Sequence, residues 1–180
     1  MIQVTIPGGE IFDSETNEFI NFKTTTLSLE HSLLSISKWE AKHKKPFLKK
    51  ADRSAEEILD YIACMSITQN VDPRIFRKIP ANEIRRVGRY IEDPMTATTF
   101  NEESPKNNKS QTVTSELIYY WMIAYNIPFE CQKWHINRLL TLIRICGIKN
   151  APPKKTSKAE MMRRRSQLNA ERRSKLHTKG

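Results

Sequence analysis

The stretch SELIYYWMIAYN, Ser115–Asn126, decides the fold class of this chain. Its apolar residues lie on nearly every side of a helix, and Glu116 is its only charged residue. A helix that is apolar all round is contacted on several sides. We therefore expect a central helix here, inside a helical core.

A second apolar helix is expected directly after this one. Pro128 suits the first turn of a helix, and Gly147 suits the residue at which a helix ends. The apolar residues between them are Trp134, Leu139, Leu140, Leu142, Ile143 and Ile145. The sequence therefore predicts two neighbouring helices, over 115–126 and 128–146, as the centre of the core.

Shorter helices are expected upstream of this pair. Ser54 and Glu57 have the spacing of a capping box. In this motif the serine side chain accepts a hydrogen bond from a backbone amide of the first helical turn, and the glutamate side chain accepts one from the backbone amide of the serine. Apolar spacing predicts further helices over 32–43 and 83–91. An Asp-Pro pair predicts a short helical turn over 72–79.

The N-terminal region has β character instead. Residues 2–6 and 19–30 are rich in Ile, Thr and Phe, and Pro7–Gly9 has the chemistry of a turn. Residues 101–112 include no apolar aliphatic or aromatic side chain, which predicts an exposed loop. The sequence thus predicts a mainly α protein with a small N-terminal β element, an α+β fold with a compact helical core.

The positive charge of the chain is concentrated at its C-terminal end. The net charge is +10, and the last thirty residues contribute +8 of it, with ten Lys and Arg against two Glu. Pro152 and Pro153 cannot continue a helix and therefore predict a linker. We expect a globular domain over 1–150 and, over 151–180, this linker and a basic helix that begins at a capping box, Ser157–Glu160.

The basic helix is the strongest indication of a binding site. The candidate partner-binding residues are Arg163, Arg164, Arg165, Arg172, Arg173 and Lys175. Cations that lie partly on one face and partly around a helix suit a phosphate backbone or an acidic protein. A tail that serves only solubility is the simpler alternative. A membrane interface is the weakest option, because the helix lacks aromatic residues and a large apolar face.

No catalytic residue, metal site or cofactor is predicted. None of the four histidines lies in a nucleophile elbow, and the glycine patterns that cradle phosphates are absent. Cys131 and His135 stand four residues apart, but zinc requires further ligands and the sequence has no CxxC pair. We therefore expect a protein that is not an enzyme and that resides in a reducing cytosol.

Aromatic residues crowd the two predicted central helices, over 115–126 and 128–146. They are Tyr119, Tyr120, Trp121, Tyr125 and Trp134. Such residues beside cations can form a stacking platform for single-stranded nucleic acid. At this density within apolar helices, packing in the core is the favoured interpretation.

No membrane-spanning segment is expected. The most apolar run, 117–129, is interrupted by Asn126 and Pro128 and is shorter than the roughly 20 apolar residues that span a bilayer. The N-terminus lacks the basic region and the long apolar run of a signal peptide.

Several stretches of the chain carry a resemblance to a known group of proteins. They are 114–150, His31–Leu48, DYIACM at 60–65, MTATTF at 95–100, PPKK at 152–155 and LNAERR at 168–173. They resemble small proteins encoded in the tail-gene block of long-tailed bacteriophages and prophages. The resemblance implies a tail assembly chaperone in the host cytoplasm, which coats the tape measure protein and is absent from the mature virion.

The resemblance also implies the class of partner. The expected partners are phage tail proteins, and the tape measure protein above all. Association of the chain with copies of itself, as a homo-oligomer, is a further possibility. Two alternatives remain at this point. One is a nucleic-acid-binding phage protein that uses its basic C-terminal helix, and the other is a structural virion component such as a head-tail joining protein.

Overall fold

The structure is a computed structural model that describes residues 1–13, 17–49, 52–100, 112–151 and 158–176. It confirms a mainly α fold with a small N-terminal β element. The chain divides into two compact units, Met1–Gly147 and Ile148–Gly180, and each is described by itself.

Three predictions fall wholly or largely outside the described residues. They concern the loop over 101–112, the linker at Pro152 and Pro153, and the capping box of Ser157–Glu160. The expected division of the chain at residue 151 also stays a prediction.

Four strands precede the helices in the part of the chain that the structure describes. They are β1 (Ile2–Ile6), β2 (Gly9–Asp13), β3 (Glu18–Phe22) and β4 (Thr25–Leu29). β1 pairs antiparallel with β4, and β2 pairs antiparallel with β3. Ile2 lies opposite Leu29 and Gly9 lies opposite Phe22, so both ladders keep one register. The four strands therefore follow one another as a single two-stranded ribbon.

The turn predicted at Pro7–Gly9 is wrong, because this segment connects β1 to β2 without a hairpin. The Gly8 amide donates to Thr24 Oγ1 at 3.1 Å. A Cβ atom at Gly8 would lie only 2.9 Å from the backbone nitrogen of Thr24. Glycine is thus needed for the close approach of the two chains. Asn17, with φ of 58°, precedes β3 in the hairpin that joins β2 to β3.

In the described residues, six α-helices follow, with two 3-10 helices among them. They are α1 (Leu33–His43), α2 (Ala55–Met65), α3 (Ala81–Glu92), α4 (Ser115–Ala124), α5 (Ile136–Asn150) and α6 (Lys158–Leu176), and the 3-10 helices are Pro73–Lys78 and Phe129–Lys133. The helices predicted over 32–43 and 83–91 and the helical turn over 72–79 are confirmed. The capping box is also present, since the Glu57 amide donates to Ser54 Oγ at 3.1 Å and the Ser54 amide donates to Glu57 Oε2 at 3.0 Å.

The helix predicted over 128–146 is divided in the structure. A 3-10 helix ends at Lys133, and α5 begins at Ile136 and continues past Gly147 to Asn150. A Cβ atom at Gly147 would lie 3.2 Å from the Tyr125 hydroxyl. The glycine therefore allows Tyr125 to pack closely against α5 and does not end the helix.

The helix α4 is less enclosed than its sequence predicted. It buries Ile118 and Met122, but Tyr120 is 62% exposed and Ile123 is 61% exposed. Its N-terminus is held by Glu40 of α1, whose Oε2 accepts from the Ser115 amide at 2.8 Å and from the Ser115 hydroxyl at 2.5 Å. The contact with α1 covers one side of α4 and leaves the other side open.

The segment that follows β4 lies at the centre of the first unit. The Glu30 amide donates to the Met65 carbonyl at 2.9 Å, and the Ile136 amide donates to the His31 carbonyl at 2.7 Å. These bonds tie the segment to the end of α2 and to the start of α5. The ribbon, α2 and α5 thereby share one hydrophobic core.

Trp39 of α1 is the tryptophan at the centre of this core. It is 2% exposed, and its Nε1 donates to the Glu57 carbonyl at 3.1 Å. Trp134, which the sequence placed in the core, is only half-buried. The Arg138 guanidinium lies over its ring, 4.3 Å from the centroid.

Candidate partner-binding surfaces

The six predicted partner-binding residues all lie on α6, a helix of 19 residues. Every side chain described on this helix, from 161 to 176, is exposed. Its apolar side chains are exposed together with its arginines. The helix therefore presents both charge and apolar surface to solvent.

One face of α6 alternates apolar and cationic side chains. Positions 161, 165, 168, 172 and 176 follow one another at spacings of four, three, four and four, which places them on one face of a helix. These positions are occupied by Met161, Arg165, Leu168, Arg172 and Leu176. We call these five residues the mixed stripe.

The other predicted cations lie elsewhere around α6. At 3.6 residues per turn, Lys175 borders the mixed stripe, Arg164 lies on its flank, and Arg163 and Arg173 lie away from it. The sequence predicts cations on one face of this helix, but their alternation with Met and Leu is not among the predicted features. The spacing of those residues was sufficient to reveal it.

A second surface is formed by the paired strands β2 and β3, which we call the acidic hairpin. These two strands include Glu10, Asp13 and Glu18 and no Lys or Arg. Phe12 of β2 lies opposite Phe19 of β3, with the ring centroids 5.1 Å apart. The two side chains are 50% and 68% exposed. This surface is not among the predicted sites, although its charge bias is visible in the sequence.

A cleft of about 880 Å³ lies beside the acidic hairpin. It is lined by Ile11, Phe12, Lys42, Glu56, Leu59, Asp60, Ala63, Asp72, Pro73, Arg74, Phe76 and Arg77. The described lining residues include acids and cations but no His, Cys, Ser or Tyr. Hydrogen bonds from Arg74 lower the pKa of Asp72, so this carboxylate stays ionised at neutral pH. A hydroxyl or thiol nucleophile with an adjacent histidine base is therefore not formed by the described lining residues.

A buried polar network surrounds His31 and was missed by the sequence analysis. The Nδ1 atom of His31 contacts the Tyr61 hydroxyl, which lies 3.3 Å from Ser35 Oγ. Burial, and secondarily the neighbouring His135, lowers the pKa of His31 to about 3. Burial raises the pKa of Tyr61. These groups are thus uncharged at neutral pH, and the network contributes packing and hydrogen bonds to the core.

Cys131 and His135 do not share a helix, because the break at Trp134 separates them. His135 Nε2 lies 3.0 Å from the Tyr90 carbonyl, and the Asn137 amide donates to His135 Nδ1 at 3.3 Å. Both ring nitrogens are thereby engaged by backbone groups. In the ranges that the structure describes, no three His, Cys, Asp or Glu side chains are arranged to hold a metal ion.

The aromatic residues of the central stretch pack and do not form an open platform. Tyr119, Trp121, Tyr125 and Trp134 are partly buried against the core. Of the five residues considered, only Tyr120 is mainly exposed. A row of exposed rings, on which successive bases would stack, is not formed by these five.

The chain was compared with family models, curated proteins and solved structures, and none of them matches it. In the described part of the chain, no helix is both long enough and apolar enough to cross a membrane. The function is therefore inferred from the mixed stripe of α6 and from the sequence resemblance.

Proposed function

We propose that this protein is a non-enzymatic phage tail assembly chaperone and that the tape measure protein is its main partner. The observation that carries the proposal is the exposed mixed stripe of α6. An acidic amphipathic helix is complementary to it, because apolar side chains can cover Met161 and Leu168 while carboxylates pair with the arginines.

The composition of the mixed stripe favours a protein partner over a phosphate backbone. Phosphates would engage Arg165 and Arg172 but would leave the three apolar side chains of the stripe exposed. Exposed apolar residues that lie together mark interaction sites with other proteins. The resemblance to proteins of the tail-gene block then supplies the tape measure protein as the partner.

The length of a tape measure protein suits binding by many copies of a small chaperone. Each copy offers one helix of 19 residues, so a single contact is weak. Copies that bind along one chain at high local concentration add their contributions. The chaperone acts in the host cytoplasm and leaves the tail before the virion is complete.

The proposal is tested by co-expression with the product of the gene directly downstream. We expect the wild-type protein to keep that product soluble and to co-purify with it. The variant Arg165→Glu/Arg172→Glu, which reverses the charge of the mixed stripe, should lose at least nine tenths of the co-purified partner. No solubilisation by the wild type would contradict the proposal.

A matched control separates a contact with one face from general charge attraction. The variant Arg163→Glu/Arg173→Glu changes the net charge by the same amount but leaves the mixed stripe intact. Under the proposal it retains the partner. If both double variants lose the partner equally, binding depends on charge alone and the mixed stripe is not the contact.

The nucleic-acid alternative is favoured by the charge of +8 over 151–180. It predicts duplex binding that weakens with salt. The logarithm of the association constant should fall with the logarithm of the salt concentration, with a slope of about 0.9 per phosphate neutralised. Both double variants should then weaken binding to a similar extent. Tight duplex binding together with failure to solubilise the partner would favour this alternative.

The alternative of a structural virion component is separated by a different measurement. A head-tail joining protein remains in the finished particle, whereas a chaperone leaves it. Mass spectrometry of purified particles should therefore show no peptides of this protein. Their presence in stoichiometric amount would contradict the chaperone proposal.

A further inference from the structure

The cleft beside the acidic hairpin follows one edge of β2. Ile11 and Phe12 both line this cleft, although neighbouring residues of a strand point to opposite faces. The described lining includes no residue of β3, the strand that pairs with β2 on its other edge. A lining that has both faces of β2 and nothing of β3 places the cleft along the edge of β2 that β3 leaves open.

The open edge of β2 can accept a further strand. In a two-stranded antiparallel ladder, alternate residues of each strand direct their amide and carbonyl groups away from the partner strand. Within the described ranges, β3 is the only strand that pairs with β2. The sequence of β2, GEIFD, has no Pro or Lys, two residues that commonly block an edge. Its outward backbone groups can therefore bind an extended chain.

The other half of the ribbon shows how such an edge is covered. The Ile67 amide donates to the Ser28 carbonyl at 2.8 Å, and the Ser28 amide donates to Thr68 Oγ1 at 2.9 Å. A segment that follows α2 thus lies along β4. Among the residues that the structure describes, no such segment makes backbone hydrogen bonds to the open edge of β2.

The cleft also offers apolar contacts to an added strand. Leu59 and Ala63, which lie on one face of α2, line the cleft together with Phe76 of the 3-10 helix Pro73–Lys78. Side chains alternate along a strand, so every second side chain of an added strand would point towards these residues. An apolar residue is expected at such a position of the occupant.

The charges of the lining indicate the other side chains of the occupant. Two ion pairs are formed within the cleft, Lys42 with Asp60 and Arg74 with Asp72. Glu56 and Arg77 line the cleft as well, and both are exposed and form no ion pair with a described residue. Glu56 therefore suits a cation of the occupant, and Arg77 suits a carboxylate.

We propose that this cleft binds an extended peptide segment of a partner protein, which adds as a strand to β2. The segment has a cation, an apolar side chain and an acid on alternate residues. A second copy of this chain is a poorer occupant, because its own β2 has acids but no cation for Glu56. The binding of such a segment does not rest on the proposed function.

Two blocked heptapeptides are the probes. The sequences TKTLTET and TETLTKT present the two charges in both orders, because an added strand can run in either direction. Isothermal titration calorimetry should show that at least one of them binds the full-length protein. The largest NMR shifts should then fall on the amides of Glu10, Ile11 and Phe12. N-methylation of the leucine and of the next threonine removes a donor from each edge of the peptide and should weaken binding at least tenfold.

Reversal of one charge tests the contact with the lining. Arg77→Glu should weaken binding of the peptide at least fivefold, and a lysine in place of the glutamate of the peptide should restore it. Arg85→Glu is the matched control, because Arg85 is an exposed residue of α3 outside the cleft, and this variant should bind as the wild type does. Circular dichroism should show native helix content for both variants.

Four results would overturn the proposal. They are no binding of either peptide at millimolar concentration, largest NMR shifts outside β2, equal binding of the N-methylated peptide, and equal losses in Arg77→Glu and Arg85→Glu. A wild type that dimerises and is dissociated by the peptide would assign the edge to a second copy, and this result would overturn the proposal as well.

The peptide site and the mixed stripe are tested separately. The variant Arg165→Glu/Arg172→Glu leaves the cleft intact and should still bind the peptide. Arg77→Glu leaves the mixed stripe intact and should still solubilise the downstream product. A failure of peptide binding is therefore distinguishable from a failure of the proposed function.

Discussion

The helices α1 and α6 both have many charged residues, yet they have different roles in the molecule. α1 has 11 residues and buries Leu33, Ile36 and Trp39, whereas α6 has 19 residues and all its described side chains are exposed. Most helices in proteins are stabilised by packing of an apolar face. The helix α1 therefore shows which residues stabilise the fold, and α6 shows which residues are available to a partner.

Polar groups follow the same distinction. In the described residues, every fully buried side-chain nitrogen or oxygen has a hydrogen-bond partner. Glu40 of α1, for example, accepts from the Phe47 amide at 2.7 Å and also from Ser115. A buried polar group without a hydrogen-bond partner is costly, so residues such as Glu40 stabilise the fold by pairing with buried amides. The exposed arginines of α6 have no such role, and they can bind a partner at little cost to the fold.

The largest effect is expected for Trp39→Ala. Loss of a fully buried aromatic side chain should lower the free energy of unfolding by about 3–5 kcal/mol. Trp134→Ala, at a half-buried site, should cost less than half as much. Urea unfolding followed by circular dichroism measures both, and equal losses would contradict the assignment of Trp39 to the centre of the core.

Acid should weaken the α1 region through His31, whose pKa is lowered to about 3 by burial and by His135. The unfolded chain binds a proton near pH 6.5 and the folded chain does not. The contribution of neutral His31 to the free energy of unfolding is therefore fully present above about pH 6.5. It is lost as the pH falls towards 3, at about 1.4 kcal/mol for each pH unit.

The comparison of the wild type with His31→Gln isolates this contribution from that of the carboxylates. Urea midpoints measured between pH 7.5 and 4 should fall less steeply for the variant. Parallel curves would show that protonation of His31 does not destabilise the core.

A smaller loss is expected for Glu40→Ala. The variant leaves the amides of Phe47 and Ser115 without their acceptor, which should cost about 1–3 kcal/mol. Glu92→Ala, at an exposed position, is the matched control and should change stability by less than about 0.5 kcal/mol. Thermal unfolding compares the two, and equal effects would exclude a structural role for Glu40.

The smallest effect is expected for deletion of residues 157–180. The described side chains of α6 are exposed, so the melting temperature of the remaining chain should change by no more than about 2 °C. Partner binding should be lost in the same variant. A large fall in melting temperature would show that the C-terminal region stabilises the fold.

Much of the secondary structure could be predicted because its causes are local. The capping box of Ser54 and Glu57 lies within four residues, and α1 and α3 end shortly before Pro46 and Pro94, which cannot continue a helix. The uneven charge that marks α6 as a candidate site is likewise a property of composition. The mixed stripe needed one further step, which was to follow the helical period through Arg165 and Arg172.

The errors concern residues whose surroundings come from distant parts of the chain. Gly8 was interpreted as part of a turn because its contact with Thr24 is not visible in the local pattern. Gly147 has the local pattern of a helix end, but it packs against Tyr125, a residue 22 positions earlier in the sequence. In each case the absence of a side chain permits a close approach that no short window of sequence can reveal.

Local sequence was sufficient for the α+β class, the capping box of α2 and the location of the basic helix, because these depend on residues a few positions apart. Folding in three dimensions selected Trp39 over Trp134 for the core, separated Cys131 from His135, and joined β2 to β3 as an acidic hairpin. Those outcomes depend on packing and hydrogen bonds between distant segments, which sequence periodicity does not record.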